Sequence, residues 1–502
     1  MGATTPADSP AARSTDRPGG VVASAAITSL SQAASMIAGG VLAVLIAVLV
    51  GNDASTDGFF AAYAVYSIAV LFAQSARTTI VARLLESPTR FGAFDRFLGA
   101  GLLIALILAV AFVPLGGLIA GALTGDLPDE AQDTARIALL LLWPAIAAQL
   151  FSALGAAMLA VLGNYVVAAI AFGGGGVVSI LAFVALRPAM GIDGVSAALL
   201  VGAGFMSGAI AVALARRGWR PSASTVRSPR ESAAAAGVLG ISSLSFLISQ
   251  VGYVVTLALG ARLGEGIVTI FTYAYMAMGL VQALLASSIG MVLAAPLAES
   301  WDRRPETLAP HNVDVFRAGM LLLVPVVAGA WLVGQEAGDV VLAKFTGDEV
   351  VLTVELFLLL VPNVVWAMAT SIAFTALFIK GGYKWVALVT AVVVALQAGL
   401  SLAAVAADSA HLLALAVPIS TFVAVPAVLL LVDRRYPRIV GAPLLATLIR
   451  LGVLAAAAFF LPSLVLADWA AFLLGCLLYV GGVSVLLPAE RAIGERLLGA
   501  FR

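Results

Sequence analysis

A single cysteine, Cys476, stands in the whole chain, so an intrachain disulfide is impossible and a thiolate metal cluster is excluded. Histidine is almost as scarce. His311 and His411 both fall in hydrophilic breaks, and spacing gives neither an evident carboxylate partner within a span, which argues against acid–base catalysis at membrane depth. Lysine occurs only at Lys344, Lys380 and Lys384, so arginine supplies the rest of the 27 basic residues. Charge as a whole is thin, at 11% of residues, where an ordinary soluble domain carries about 25%. The formal net charge is zero, which removes any argument for a nucleic-acid partner from the total.

What is plentiful is apolar surface: 62% of the 502 residues are hydrophobic and the mean hydropathy is +1.09. Such a chain belongs in lipid, where backbone groups find no water and must be satisfied inside helices. A bilayer core of about 30 Å needs roughly 20 apolar residues per crossing. Fourteen such runs lie near 22–50, 58–83, 97–123, 134–162, 165–187, 192–215, 236–261, 267–298, 317–335, 350–379, 385–406, 410–432, 442–466 and 469–488. The expected fold is an all-α polytopic membrane protein. The first 20 residues, rich in Pro, Ser and Ala, read as a disordered tail. Arg13 and Arg17 ahead of an apolar run imitate a signal peptide, but the run is too long and reads as a retained helix.

Alternate connections separate the charges. One set holds Arg90, Arg96, Arg216, Arg217, Arg220, Arg227, Arg230, Arg303, Arg304, Lys380, Lys384, Arg434, Arg435 and Arg438. The other holds only Arg187, Arg262 and Lys344 among basic residues, and carries Asp53, Asp57, Asp126, Asp129, Glu130, Asp133, Asp339, Asp348 and Glu349. By the positive-inside rule the arginine-rich set is cytoplasmic, and with it both termini.

The chain also repeats itself. "ITSLS" at Ile27–Ser31 returns as "ISSLS" at Ile241–Ser245, and "YAVY" at Tyr63–Tyr66 as "YAYM" at Tyr273–Met276. "RLLES" ending at Ser87 returns as "PLAES" ending at Ser300, "LLLLWP" ending at Pro144 as "FLLLVP" ending at Pro362, and "GNY" at Gly163 as "GGY" at Gly381. The spacing stays between 210 (Tyr63 to Tyr273) and 218 residues (Pro144 to Pro362), so the matches preserve order. Six helices separate equivalents, an even number, which makes this a parallel repeat about an axis along the membrane normal. The expected organisation is a tail (1–20), an N-lobe of six helices (21–217), a basic linker (218–235), a C-lobe of six helices (236–435), and two appended helices with a tail (436–502). Two lobes rocking about a central site describe a transporter.

Each lobe opens on a polar stripe. Ser24, Thr28, Ser31, Gln32 and Ser35 recur at helical spacing, as do Ser242, Ser245, Ser249 and Tyr253 with Gln250 and Thr256 alongside. These stripes line a wet cavity between lobes, or they are interhelical packing, since Ser and Thr favour close helix contacts. Pro114 matches Pro325 and Pro144 matches Pro362, where they would kink or loosen helices. Gly173–Gly176 has no following Lys-Ser/Thr and reads as a close-approach or flexing point, not a phosphate loop.

Several segments resemble one family. "GNDASTDGFFAAY" (Gly51–Tyr63), "WPAIAAQLFSALGAAMLAVLGNYVVAAIA" (Trp143–Ala171), "GISSLSFLISQ" (Gly240–Gln250), "FTYAYMAMGLVQALLASSIGMVLAAPLAES" (Phe271–Ser300) and "LLVPVVAGAWLV" (Leu322–Val333) resemble the MurJ/MviN lipid II flippases of the MOP flippase superfamily. Fourteen helices, two of them beyond the repeat, fit that branch better than the twelve-helix drug-efflux branch. The resemblance implies a lipid-linked cell-envelope precursor as substrate, a bacterial plasma membrane, membrane lipid and envelope-synthesis enzymes as partners, and no cofactor. It also implies a cationic central cavity, from which this sequence departs. Met36 and Leu42 stand at the family's first-helix arginine positions, Ala43 at the neighbouring acid, Val70 and Leu71 at the second-helix basic pair, and Tyr275-Met276 at the eighth-helix Asp-Arg pair. The acid expected of a sodium site on the seventh helix is also missing, so no coupling ion is specified.

Ionisable groups at membrane depth are costly and therefore candidates. Arg77 lies toward the cytoplasmic end of the second helix with Gln74 one turn away, placed either to meet a diphosphate or to snorkel to headgroups. Arg450, two turns into the thirteenth apolar run, is a lipid-phosphate candidate with the same alternative. Arg136 and Glu355 lie near the outer ends of equivalent helices, and Glu355 is a candidate for proton coupling. Gln32, Gln149, Gln250, Tyr253, Tyr273, Tyr275 and Trp366 suit sugar hydrogen bonding and stacking. Three functions follow from these residues: a flippase for a lipid-linked saccharide, an efflux antiporter of amphipathic molecules, and a non-transporting scaffold for envelope enzymes.

Overall fold

The computed structural model of the chain describes residues 38–87, 89–220, 229–282, 285, 305–379 and 383–499. Every element in them is helical, as a chain dissolved in lipid requires. In chain order these are α1 (Ala38–Leu49), α2 (Ala54–Glu86), α3 (Arg90–Thr124), α4 (Asp129–Val161), α5 (Tyr165–Met190), α6 (Asp193–Arg216), α7 (Pro229–Gly260), α8 (Ile267–Gln282), α9 (Pro305–Val341), α10 (Gly347–Ile379), α11 (Tyr383–Ala406), α12 (Ala410–Val432), α13 (Tyr436–Ala455), α14 (Asp468–Leu486) and α15 (Pro488–Gly499). Eleven helices are long and apolar enough to cross a membrane, and Ala38–Leu49, Leu247–Leu263 and Ile267–Gln282 are shorter apolar helices. Each of the fourteen expected runs meets one of these. α13 runs on through one π turn at Ala456–Phe460 to Ser463.

The repeat is visible as packing. In the first half α4 is the hub, against α2, α3 and α6, and α5 packs on α6; in the second half α10 is the hub, against α8, α9 and α12, and α11 packs on α12. The partners correspond with a shift of six helices, which is the parallel pseudo-repeat expected from "YAVY" and "YAYM". The lobes meet where α7 packs against α2 and α3. The appended pair docks on α9 of the C-lobe through α13 and α14, and α15 folds back against α9 and α14. Hydropathy alone does not sort these helices, but burial does. α2, α4 and α9 are central, whereas α3, α11, α13 and α14 leave most of their apolar windows exposed to lipid.

Local chemistry sets the boundaries. Asp53 caps α2 by accepting from the Thr56 N–H at 2.8 Å, and Ser409 caps α12 by accepting from the Leu412 N–H at 3.3 Å. Thr346 and Glu349 form a reciprocal capping box at the start of α10. Pro114, Pro144, Pro325 and Pro362 all sit inside continuous helices, so none of them breaks its helix. α7 begins at Pro229, ahead of the apolar run expected from 236, because proline suits a first helical position and Glu231 complements the first turn. In the glycine run of α5, a side chain on Gly174 would strike the Phe205 ring, one on Gly175 would strike Met206, and one on Gly176 would strike Ala38. That run is therefore the close approach of α5 to α6 and α1.

Candidate functional site

The two lobes are tied together at the acid-rich end by helix termini. Asp57, in the first turn of α2, is fully buried and turned across to the other lobe. Its carboxylate accepts from the N–H of Gly266 at 2.6 Å, the N–H of Thr269 at 2.8 Å and the hydroxyl of Thr269 at 2.5 Å, capping α8. Gly266 holds φ +85, a conformation that favours glycine and aims its N–H at the carboxylate. In the reverse direction, Glu265 just before α8 accepts from the N–H of Ala54 at the start of α2. Each lobe thus supplies an acid to the positive end of the other lobe's second helix.

Cations complete the pattern at the negative end of α1. Lys344 Nζ donates to the carbonyls of Leu49 and Val50 at 2.7 and 3.3 Å, and Arg187 Nη2 donates to that of Leu49 at 2.6 Å. Asn52 donates to Glu349 of α10 at 2.7 Å. Burial works against the Asp53 carboxylate, but hydrogen bonds from Ser55 and Thr56, together with the nearby Lys344 ammonium, outweigh it and hold the group below its ordinary value. Beneath this layer, Tyr273 donates to the carbonyl of Ala43 at 3.2 Å and packs edge-on against Phe60 and Phe345. Tyr273 is therefore packed into this interlobe contact, which acts as a latch between the lobes.

Deeper in the bundle, a cavity of about 230 Å³ opens inside the N-lobe. α2 contributes Tyr63, Tyr66, Ser67 and Arg77, α4 contributes Gln149, and Phe172 and Gly175–Gly176 of α5 close the far wall. Gln149 donates to the Tyr66 hydroxyl at 3.4 Å. The Arg77 guanidinium lies over the Phe172 ring, 5.4 Å from its centroid. Counting about 1.5 Å per residue, Arg77 is roughly 35 Å along α2 from Ala54, near the arginine-rich end. Leu42, Val70 and Leu71 also line the cavity, so three positions where the resemblance leads one to expect charge present apolar side chains instead. The volume is below the roughly 300–1,000 Å³ usual for a drug-sized ligand.

The predicted residues divide as follows. Thr28, Ser31, Gln32 and Ser35 lie outside the described residues, as do the side chains of Gln74 and Ser245. Arg77 and Gln149 share the N-lobe cavity. Gln250, half-buried on α7, accepts from the Ser67 hydroxyl of the cavity wall at 3.2 Å, which carries polar contact across the lobe boundary. Ser249 beside it is exposed. Tyr253 is buried and stacked on Tyr275, with centroids 4.3 Å apart. Trp366 packs on Phe422 with its indole N–H buried and without a partner. Arg450 is on a helix that does not line the cavity, and it faces Glu490 of α15.

Sequence spacing picks out Thr256 and Glu355 but not the partners that the fold brings to them. Gln397 of α11 donates to Thr256 of α7 at 2.9 Å, and Thr256 pairs with Ser401 at 3.4 Å, forming a buried, uncharged network. The expectation that neither histidine has a carboxylate partner is also corrected: His411 Nε2 lies 2.8 Å from Glu355 Oε2 near the starts of α12 and α10. The partners are 56 residues apart, and only the packing of those two helices brings them together.

A family model described as lipid II flippase MurJ matches residues 46–480. The chain belongs to the MurJ lipid II flippase family. Among solved structures, a lipid II flippase MurJ in an inward closed conformation superposes with a TM-score of 0.77 at 16% identity, covering 92% of this chain and 98% of that one. A multidrug resistance MATE transporter of the MOP superfamily in an inward-facing conformation gives 0.62 at 15% identity, covering 84% and 94%. A MOP superfamily transporter from Pyrococcus furiosus, described as having a binding pocket of reverse polarity, gives 0.61 at 16% identity, covering 84% and 96%. A search of curated proteins finds no match to the chain. The fold is thus that of MurJ and of MOP transporters more broadly. The MurJ-like segment Gly51–Tyr63 now has a physical role, since Asn52, Asp53, Asp57 and Phe60 build the latch between lobes.

Proposed function

We propose that this MurJ-family protein is an alternating-access flippase that moves a polyprenyl-phosphate- or diphosphate-linked sugar or oligosaccharide across a bacterial plasma membrane. In this reading the arginine-rich end and both termini are cytoplasmic. The N-lobe is 21–217, the C-lobe 236–435, and 218–235 links them. The observation that carries the proposal is the juxtaposition of a latched acid-rich end with an N-lobe cavity in which Arg77, the one charged residue among the described lining residues, lies toward the opposite end.

Arg77 is a fork of donors at the cytoplasmic side of the cavity, suited to a phosphate oxygen. Gln149, Gln250, Ser67 and Tyr66 offer hydrogen bonds to sugar hydroxyls, whereas Tyr253 and Tyr275 stack on each other outside the cavity lining. Charge on the phosphate draws the headgroup in, and release of the Asp57 latch exposes it to the other side. With Arg77 as the single cation among the described lining residues, the site suits one phosphoryl group held firmly and not a fully clamped diphosphate.

An antiporter reading would call for a carboxylate in the cavity lining, and none of the described lining residues is acidic. The apolar Leu42, Val70 and Leu71 favour a second reading, a scaffold that binds envelope-synthesis enzymes without transport. The two are separated by reconstitution in liposomes carrying fluorescent polyprenyl-diphosphate sugars. Protein-dependent exchange between leaflets, reduced about tenfold or more by Arg77→Gln and less by Gln250→Ala, is expected of the flippase. No exchange of any polyprenyl lipid by folded protein would leave the scaffold.

A further inference from the structure

At the junction of the C-terminal pair with the C-lobe, three side chains from three helices meet at one level. Arg317 lies about 18 Å along α9 and Arg450 about 21 Å along α13, both counted from the arginine-rich end at about 1.5 Å per residue. α14 descends to the same level, and Glu490 of α15 turns inward there. Its side chain is completely buried, with Oε1 3.8 Å from Arg317 Nε and 3.7 Å from Arg450 Nη1.

Buried carboxylates between guanidinium groups usually accept short, charge-assisted hydrogen bonds of about 2.7–2.9 Å. Here neither oxygen of Glu490 has a hydrogen bond. The guanidinium donors are also poorly used. Arg317 reaches the Thr447 hydroxyl at 3.5 Å and stands 3.7 Å from Asp314, and Arg450 Nε donates to the carbonyl of Ala446 in its own helix at 3.1 Å. The buried hydroxyl of Tyr479 on α14, the helix against which α15 packs, has no hydrogen-bond partner either. Two arginines thus converge on a resident anion that satisfies neither. A tetrahedral phosphate, with more acceptor oxygens and the bidentate geometry guanidinium prefers, would use donors that a carboxylate leaves idle.

We propose that Arg317 and Arg450 form a binding site for the phosphate of an anionic lipid, one whose headgroup carries no ammonium of its own, and that Glu490 occupies it as a tethered competitor whose displacement frees α15. Arg317 marks where the apolar run of α9 begins, which is the depth of a leaflet's phosphates, and Arg450 is half-exposed on the lipid side with a stem long enough to reach back to that depth. The site is separate from the N-lobe cavity and stands whatever cargo that cavity takes.

Hydrogen–deuterium exchange of α15, in the full chain in nanodiscs, tests the proposal without requiring any variant to fold. Replacing phosphatidylcholine with phosphatidylglycerol should speed exchange across 488–499 by about tenfold, as expected when a ligand binds only the opened form. In separate arms, polyprenyl phosphate at a few per cent and inorganic phosphate in the buffer identify the source. A response to polyprenyl phosphate alone supports the site and assigns it to the carrier lipid, whereas a response to inorganic phosphate alone overturns the lipid assignment. Arg317→Gln and Arg450→Gln should each abolish the response, and Glu490→Gln should make α15 exchange fast even in phosphatidylcholine. Unchanged exchange in every lipid overturns the proposal, and so does a response that survives both arginine substitutions. Slow exchange in Glu490→Gln would show that Glu490 does not hold the helix.

Discussion

Replacing Asp57 with Asn tests whether the interlobe latch governs access. The substitution keeps the shape but turns one acceptor oxygen into a donor amide. The best rotamer retains Oδ1 for the N–H and hydroxyl of Thr269, and the Gly266 N–H, 2.6 Å from Oδ2 in the native protein, then faces another donor. Leaving a buried N–H unmatched costs about 1–3 kcal/mol, and losing a buried anion at a helix N-terminus adds up to ~2 kcal/mol. About 3 kcal/mol in total moves the latched-to-open ratio by roughly a hundredfold, enough to bring a ratio near 99:1 to parity. The loss falls on the latched state because donor and acceptor belong to different lobes. The assay is pulsed electron resonance between spin labels at Asp133→Cys and Asp348→Cys, exposed sites near the starts of α4 and α10, with Cys476→Ser to remove the native thiol. Asp57→Asn should shift the distance distribution toward longer, broader values at the acid-rich end. An unchanged distribution in a protein of unchanged melting temperature would refute the view that this carboxylate holds the lobes together.

Two further outcomes follow from the same packing. A Cβ on Gly202 would overlap the Ser179 side chain and the Gly175 carbonyl, so Gly202→Ala should lower stability by about 1–3 kcal/mol, read as a drop in melting temperature, through separation of α6 from α5. The Asp53 carboxylate is held below its ordinary value, so its contribution is fully present above the unfolded value of about 3.9 and is lost as pH falls through the folded one. The Asp53 contribution should therefore be constant across a melting series between pH 5 and 8, and the acid-side loss should shrink in Asp53→Asn.

The helices, their number and the parallel repeat were legible in the sequence because lipid leaves the chain little choice. An apolar run of sufficient length must be helical, and alternating basic and acidic connections order the runs across the bilayer. The resemblance carried by Gly51–Tyr63 was legible too, but not its purpose. Asp57 reads as one more acid on the outer side, and nothing in its spacing reveals that its partners are 209 and 212 residues away across the lobe boundary. Tyr273 reads as suited to sugar, and the fold packs it into the latch, while Arg77 and Gln149, 72 positions apart, are brought to one cavity by the packing of α2 on α4. Arg450 reads as a lone cation at depth, yet its surroundings, Glu490 and Arg317, come from two other helices. Composition and periodicity decide what a segment must be in its solvent, because that follows from the segment and the lipid alone. Which polar groups meet depends on how lobes and appended helices dock, and pairs so distant along the chain leave no local pattern to read.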